Sequence, residues 1–101
     1  MQASFSVADG RAVIRLQGRF DFNAHREFRE ATEQALREAG AKELRVDLAE
    51  VEYLDSSALG MLLMLRDKAK ATNRAVVLAN CRGAVRQVLD IANFGKLFTI
   101  V

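Results

Sequence analysis

The sequence predicts a single α/β domain, residues 1–101, with a mixed, mostly parallel sheet of about five strands, an N-terminal β-hairpin and helices packed on the sheet. An Asp9-Gly10 pair lies between two apolar segments, which is a hairpin signal because both turn residues need positive φ. Amphipathic stretches then alternate with apolar strands, a pattern that implies right-handed crossovers between parallel strands. A continuous apolar run at 75–79 indicates a strand covered on both faces.

The elements follow in the order β-β-α-β-α-β-α-β. In chain order we expect hairpin strands around 5–7 and 13–16, a loop at 18–22, a helix at 24–39, a strand at 44–48, a helix at 56–71, a strand at 75–79, a helix at 83–91 and a strand at 97–101. Apolar residues spaced three and four apart define the first helix, with Asn23 as its N-cap and Gly40 as its stop. Three residues are expected to close the core near the C-terminus: Phe94, Leu97 and Phe98.

Composition excludes several classes of protein. Half of the 101 residues are hydrophobic and 28% are charged, which is enough apolar content for one folded core. The single cysteine, Cys81, excludes an internal disulfide, and with one histidine, His25, the chain cannot assemble a His/Cys metal cluster. We interpret His25 as a surface residue and Cys81 as a small buried one, and we expect neither a metal nor a cofactor.

The charge balance argues against a polyanionic partner. The net charge of +2 is a mild excess, and charges alternate in sign along the first helix at Arg29, Glu33 and Arg37, which is typical of a solvated face. We therefore expect no nucleic-acid partner. Because no apolar stretch is long enough to span a bilayer and no secretory pattern is visible at the N-terminus, we expect a cytoplasmic protein with no membrane partner.

The predicted parallel pairing brings three loops together, at 18–23, 49–55 and 80–83. They lie at the carboxyl edge of the sheet, where function collects in open α/β folds. Asp21, Asp55, Ser56 and Ser57 fall there. One interpretation is purely structural, since Ser and Asp side chains cap helix N-termini. If Ser56 is the N-cap, then Ser57 is the first residue of the second helix and its hydroxyl lies at the positive end of the helix dipole.

The second helix presents two stripes of side chains. One stripe suits the sheet and consists of Ala58, Leu62, Leu65 and Ala69. The other lies roughly 80–100° away and consists of Ser57, Met61, Met64 and Lys68. Methionine suits surfaces that adapt to more than one partner, so we hypothesise that this second stripe is a docking face. The alternative is that Met61 and Met64 pack under neighbouring helices.

Four segments together form a family signature: Gly18-Arg-Phe-Asp21, Val46-Asp-Leu48 leading to Tyr53-Leu-Asp-Ser-Ser-Ala-Leu-Gly60, the helix segment 84–89, and Lys96-Leu-Phe98. With these segments the chain resembles, over essentially its whole length, a STAS domain of the bacterial anti-sigma-factor antagonist type. One departure is Ala58, where many members carry glycine.

The resemblance implies a binding module that works by partner switching. In this family a serine of the motif is phosphorylated by an anti-sigma-factor kinase and dephosphorylated by a dedicated phosphatase. The unphosphorylated domain binds the anti-sigma factor and so releases the sigma factor or another client. The motif's second serine is the usual acceptor, which maps onto Ser57, with Ser56 as second choice, and Asp21 matches an acidic position near the phosphosite. The expected partner-binding residues are Asp21, Asp55, Ser56, Ser57, Met61 and Met64.

Two other functions compete with this one. An enzyme using Ser56 or Ser57 as nucleophile would need an activating base, and His25 is the only histidine. Neither serine lies in a Gly-x-Ser-x-Gly elbow, so we expect no enzyme activity. The remaining alternative is a STAS subunit of a larger assembly, such as a transporter or a stress-signalling complex, that acts without phosphorylation.

Overall fold

The computed structural model describes residues 1–101 and contains one five-stranded sheet in which spatial order equals chain order. The strands are β1 (Gln2–Ala8), β2 (Arg11–Phe20), β3 (Glu43–Leu54), β4 (Ala75–Ala79) and β5 (Thr99–Ile100). The helices are α1 (His25–Arg37), α2 (Ser56–Ala71) and α3 (Gly83–Ile91), with short 3-10 turns at Phe22–Ala24 and Phe94–Lys96. β1 and β2 are antiparallel and the other pairs are parallel. The predicted fold class is therefore confirmed.

The predicted hairpin turn is also confirmed. Asp9 and Gly10 both have positive φ, 52° and 76°, which is the geometry that matches the right-handed twist of two paired strands. The register runs from Gln2 opposite Gln17 to Ala8 opposite Arg11.

All three helices pack on one face of the sheet, because right-handed crossovers that move in one direction keep their helices on one side. Leu44, Val46, Val76 and Leu78 form the centre of that face and are fully or almost fully buried. Val77 and Ala79 lie on the opposite face of β4, and they are buried as well, so the expectation for this run holds although only one face carries helices. None of the three helices combines the length and apolar character that a membrane span requires.

β2 and β3 are both longer than the sequence predicted, so the loops expected at 18–22 and 49–55 are wrong. Gly18, taken as the start of a loop, has φ +98° and lies within β2 between two register shifts. At both shifts β3 contributes one residue more than β2, and these extra residues break the alternation of apolar residues in β3 without ending the strand pairing. β3 continues to Leu54, and its last residues, Tyr53 and Leu54, pair with Arg19 and Phe20 at the end of β2.

The first helix begins and ends differently from the prediction. Asp21, not Asn23, supplies the capping side chain, because Asp21 Oδ1 accepts the Asn23 N–H at 3.0 Å and starts the 3-10 turn. α1 then begins at His25 and ends at Arg37, before the expected stop at Gly40. Near the C-terminus Phe94 and Phe98 are buried and stack at 5.2 Å between ring centroids, whereas Leu97 is 40% exposed and does not close the core.

The helix-free face of the sheet is crossed by hydrogen-bonded charges centred on Asp47. Asp47 Oδ1 accepts from Asn80 Nδ2 and from the Ala49 N–H, each at 3.0 Å, and Arg15 Nε lies 3.5 Å from Oδ2. Burial by itself would raise the pKa of Asp47, but these hydrogen bonds and the charge of Arg15 together hold it below its ordinary value of 3.8. The Asp47 carboxylate thus ties β2, β3 and the end of β4 together.

This network predicts acid sensitivity. Because the folded-state pKa of Asp47 is depressed, its contribution to stability is present above about pH 3.8 and is lost as the pH falls through the folded-state pKa. Asp47→Asn should therefore flatten the acid limb of the free energy of unfolding, measured by urea titration at several pH values. Asp67→Asn, at an exposed carboxylate, is the control that should leave that limb unchanged. Identical acid limbs for Asp47→Asn and the unmodified chain would contradict the prediction.

Candidate functional site

The carboxyl ends of β2 and β3 meet at one edge of the sheet, and the predicted site residues lie there. The Asp55 N–H donates to the Phe20 carbonyl at 3.3 Å, which holds the start of α2 against the end of β2. The 3-10 turn that follows Asp21 contacts α2. Asp21, Asp55, Ser56 and Ser57 are thus brought to one region, as parallel pairing requires.

Asp55 is the N-cap of α2, so the expectation that Ser56 has this role is wrong. Asp55 is extended, with φ −116° and ψ −174°, and its Oδ1 accepts the Ala58 N–H at 3.0 Å. Asp55 alone has both the extended backbone and the hydrogen bond that define a cap, because Ser56 is already helical. Ser56 is consequently the first residue of the helix and Ser57 the second.

Both serines are exposed to solvent at the positive end of α2. The first N–H groups of a helix have no partner within it, and the Asp55 side chain takes up only that of Ala58. The first turn also contains no acidic side chain. An anion attached to Ser56 or Ser57 would therefore meet unclaimed N–H donors and a favourable helix dipole.

Asp21 is held by its own local contacts. Besides capping the 3-10 turn, its Oδ2 lies 3.7 Å from Arg19 Nε, and its side chain is only 18% exposed. The Arg19 guanidinium in turn lies 4.1 Å from the centre of the Tyr53 ring. The charge of Asp21 is thus partly balanced by Arg19, which reduces the repulsion that it could exert on a nearby phosphate.

The two predicted stripes on α2 differ in their burial. The stripe expected to face the sheet is confirmed, because its four members are at most 2% exposed: Ala58, Leu62, Leu65 and Ala69. In the other stripe Met61 is buried at 6%, whereas Met64 is 51% exposed. Met61 therefore packs between α1 and α2, as the alternative interpretation expects, whereas Met64 remains on the surface and its docking role stays a prediction.

A small groove between α1 and α2 lies beside Met64. It encloses about 30 Å³, and its lining residues are His25, Phe28, Arg29, Thr32, Met61, Met64, Leu65 and Lys68. The apolar floor is formed by buried side chains such as Phe28 and Leu65, and the cations Arg29 and Lys68 lie at its rim. Such a groove suits one apolar side chain with an acidic neighbour.

Sequence reasoning missed two exposed aromatic residues at this edge. Phe22 is 67% exposed in the 3-10 turn, and Tyr53 is 40% exposed near the end of β3. Both fell in segments predicted to be loops, and neither was given a role, because a sequence does not show which aromatic side chains remain exposed. Aromatic side chains of this kind are enriched among the residues that dominate binding energy at protein interfaces.

The remaining candidate reactive side chains are those of His25 and Cys81. His25 is exposed, as expected, and lines the α1–α2 groove. Cys81 is half-buried, and burial raises the pKa of its thiol, so the nucleophilic thiolate is disfavoured. No group of three His, Cys, Asp or Glu side chains is placed to hold a metal ion.

Several known proteins are similar to this chain. The family described as "Mlab, STAS domain" matches residues 3–101. A STAS-domain containing protein of Pseudomonas aeruginosa is 51% identical over 94 residues, which cover 92% of this chain and 91% of that one. BtrV of Bordetella bronchiseptica, named as a candidate anti-sigma factor antagonist, is 26% identical over 99% of this chain and 85% of its own.

Solved structures show the same fold. An anti-sigma factor antagonist from Mycobacterium paratuberculosis has a TM-score of 0.81 at 25% identity, covering 98% of this chain and 83% of that one. SpoIIAA of Bacillus has a TM-score of 0.72 in its unphosphorylated form (19% identity, 98% and 86% covered) and 0.72 in its phosphorylated form (20% identity, 98% and 90% covered). A sulfate transporter family protein from Wolinella succinogenes reaches 0.75 at 14% identity, covering 90% and 73%.

The cap assignment can be tested by stability measurements. Asp55→Ala should lower the free energy of unfolding by about 1 kcal/mol, because it leaves the Ala58 N–H without its acceptor. Ser56→Ala should change it by less than about 0.5 kcal/mol, because the Ser56 side chain caps nothing. Asp55→Asn, which keeps a capping oxygen, is the matched control. If Ser56→Ala proved as destabilising as Asp55→Ala in chemical denaturation, the assignment would be wrong.

Proposed function

The chain belongs to the STAS domain family, and from that premise we propose that it is an anti-sigma factor antagonist whose binding is controlled by phosphorylation. In the unphosphorylated state it binds an anti-sigma factor that is also a serine kinase, and the sigma factor or another client is released. Phosphorylation of the Ser56–Ser57 pair ends that binding, and a phosphoserine phosphatase restores it. The chain acts as a binding module in the cytoplasm, without a cofactor and without catalysing a reaction.

The observation that carries this proposal is the exposed pair of serine hydroxyls at the N-terminus of α2. A kinase needs a reachable hydroxyl, and both serines offer one. A phosphate there adds roughly −1.5 to −2 charges at neutral pH, and the helix N-terminus accommodates them through its N–H groups and dipole. The fold can therefore survive modification. This agrees with the equal TM-scores of 0.72 that this chain has against the unphosphorylated and the phosphorylated forms of SpoIIAA.

Different arguments favour Ser57 and Ser56 as the residue that accepts the phosphate. The family resemblance maps the acceptor onto Ser57. Position in the helix favours Ser56, because Asp55 is the cap and Ser56 therefore occupies the first helical position that the sequence had assigned to Ser57. We retain both as candidate acceptors, and single alanine variants decide between them.

Phosphorylation acts at the docking surface in this proposal. Ser57 and Met64 lie about two helical turns apart on one face of α2, and the 3-10 turn that carries Phe22 contacts α2. The exposed apolar side chains of Phe22 and Met64 are therefore free to contact a partner that meets the serines. A dianion among them carries tightly held water, and bringing it into an interface without a matching cation is costly. Binding is therefore lost although the fold of the domain is kept.

A second function has a specific observation in its favour, namely the structural match to a sulfate transporter family protein. In that alternative the chain is a subunit of a larger assembly and needs no phosphorylation. Intact-mass analysis of the chain purified from its native cells separates the two, because only the antagonist should carry the added mass of a phosphate. Alanine at the acceptor serine should abolish that added mass.

The switch predicts opposite behaviour for two substitutions at each serine. In pull-downs from native cells with the chain as bait, Ser56→Ala and Ser57→Ala should retain an anti-sigma factor kinase identified by mass spectrometry. The aspartate variant at the acceptor should weaken recovery by about tenfold or more, because it places an unpaired charge in the interface. Val7→Asp, which adds the same charge on β1 away from the serines, serves as the control and should leave recovery unchanged. Equal recovery by the four serine variants would refute the phosphorylation switch.

The docking surface gives a separate prediction at Met64. Met64→Glu should weaken binding of the same kinase by about tenfold, because it adds a charge beside the switch serines without disturbing the core. Val7→Glu is the matched control, since Val7 is equally exposed at 51% but lies on β1, next to the hairpin turn. Circular dichroism should show both variants folded. Unchanged affinity of the folded Met64→Glu variant would remove Met64 from the docking surface.

A further inference from the structure

A basic cavity lies at the amino edge of the sheet, at the opposite end of the molecule from Ser56 and Ser57. It has a volume of about 370 Å³ and is bounded by the last turns of α2, the start of β4 and the segment 95–99. Four of its lining residues are cationic and none is acidic: Arg66, Lys70, Arg74 and Lys96. This concentration contrasts with the net charge of the whole chain, which is only +2.

Two of the four cations are fixed in place by backbone carbonyls. Arg66 Nε donates to the Leu97 carbonyl at 2.9 Å, and Arg74 Nη1 donates to the Ala35 carbonyl at 3.1 Å. The nearest carboxylate is that of Asp67, 3.9 Å from Arg66 Nη1 and 77% exposed, a pair that solvent weakens. Neither lysine takes part in any ion pair of the structure. The cavity therefore presents positive charge that the fold itself does not neutralise.

Exposed aliphatic side chains accompany these cations. Leu97 lines the cavity and is 40% exposed, against the expectation that it closes the core. Ile91 is 83% exposed at the C-terminal end of α3, which packs against the 3-10 turn that contains Lys96. Ile91 is the most exposed large apolar residue of the chain. Cations and aliphatic side chains thus share one end of the domain.

We propose that this basic end of the domain binds an anionic phospholipid surface. The negative potential of such a surface attracts lysine and arginine side chains, and exposed aliphatic side chains can enter the boundary between headgroups and acyl chains. A single-stranded nucleic acid would instead favour aromatic stacking platforms, and the exposed aromatic residues, Phe22 and Tyr53, lie at the opposite edge. The sequence-based expectation of no membrane partner rested on spanning segments and did not address peripheral contact.

Lipid binding at this end is compatible with the proposed switch and independent of it. The cavity lies at the amino edge of β4, whereas Ser56 and Ser57 follow the carboxyl end of β3. A domain resting on a membrane through its basic end would keep the switch serines turned toward the surrounding solution. Failure of one proposal therefore leaves the other standing.

Vesicle co-sedimentation with the purified full chain tests the proposal. The chain should sediment with vesicles of phosphatidylcholine mixed with phosphatidylglycerol, remain in solution with phosphatidylcholine alone, and be released by added salt. The double variant Lys70→Glu, Lys96→Glu should weaken binding by about tenfold or more. Leu97→Ser should weaken it several-fold without changing the charge.

A matched double variant separates the cavity from overall charge. The double variant Arg26→Glu, Arg29→Glu lowers the net charge by the same amount but changes α1, away from the cavity. At physiological ionic strength salt screens charges that far from the contact, so this variant should bind vesicles nearly as well as the unmodified chain. Equal loss in both double variants, or no sedimentation with anionic vesicles, would overturn the proposal. So would release by inorganic phosphate at equal ionic strength, or tighter binding to a DNA oligonucleotide than to the vesicles.

Discussion

The hydrogen bond from the Ala58 N–H to the Asp55 carboxylate decides how the functional edge is arranged. It ends β3 and begins α2 within a single residue, so no flexible loop separates the strand from the helix. Because Asp55 supplies the cap, neither serine has to use its hydroxyl to stabilise the helix. Both hydroxyls remain free and exposed beside N–H groups that have no partner in the helix. A site for modification and a stable helix start therefore share the same few residues without competing.

This edge of the sheet contains groups that are held by hydrogen bonds and ion pairs and others that are free to contact a partner. Asp21 is tied to its 3-10 turn and to Arg19, and the Asp55 N–H is tied to the end of β2. The groups left unengaged are the two serines, Phe22 and Met64. A phosphate placed among these free groups alters the surface that a partner meets, while the hydrogen bonds beneath it are unaffected. Control by surface chemistry, without unfolding, follows from that division.

Much of this could be predicted from the sequence, for identifiable reasons. The Asp9-Gly10 turn, the span of α2 and the buried run of β4 depend on local signals, and all three were placed correctly. The end of β2 was missed because Gly18 supplies no apolar side chain although the alternation of burial continues to Phe20, and the end of β3 was missed because its two extra residues disturb that alternation. The identity of the cap was missed for a related reason, since Asp and Ser are both good caps and only the backbone angles of Asp55 and Ser56 distinguish them. The burial of Met61 and the exposure of Met64 depend on where α1 packs against α2, and the sequence of α2 alone does not show that position.

The sequential strand order has a consequence for how the chain can assemble. Every strand pairs with its immediate neighbour along the chain, so no strand must later be inserted between two that have already joined. Each parallel pair still joins distant segments, such as Arg11 with Glu43 and Glu43 with Ala75, so a strand can pair only after the crossover helix before it has been made. During synthesis on the ribosome, the sheet can grow one strand at a time as each crossover emerges. The two-residue β5 joins last, against a β4 that already pairs with β3 along its whole length.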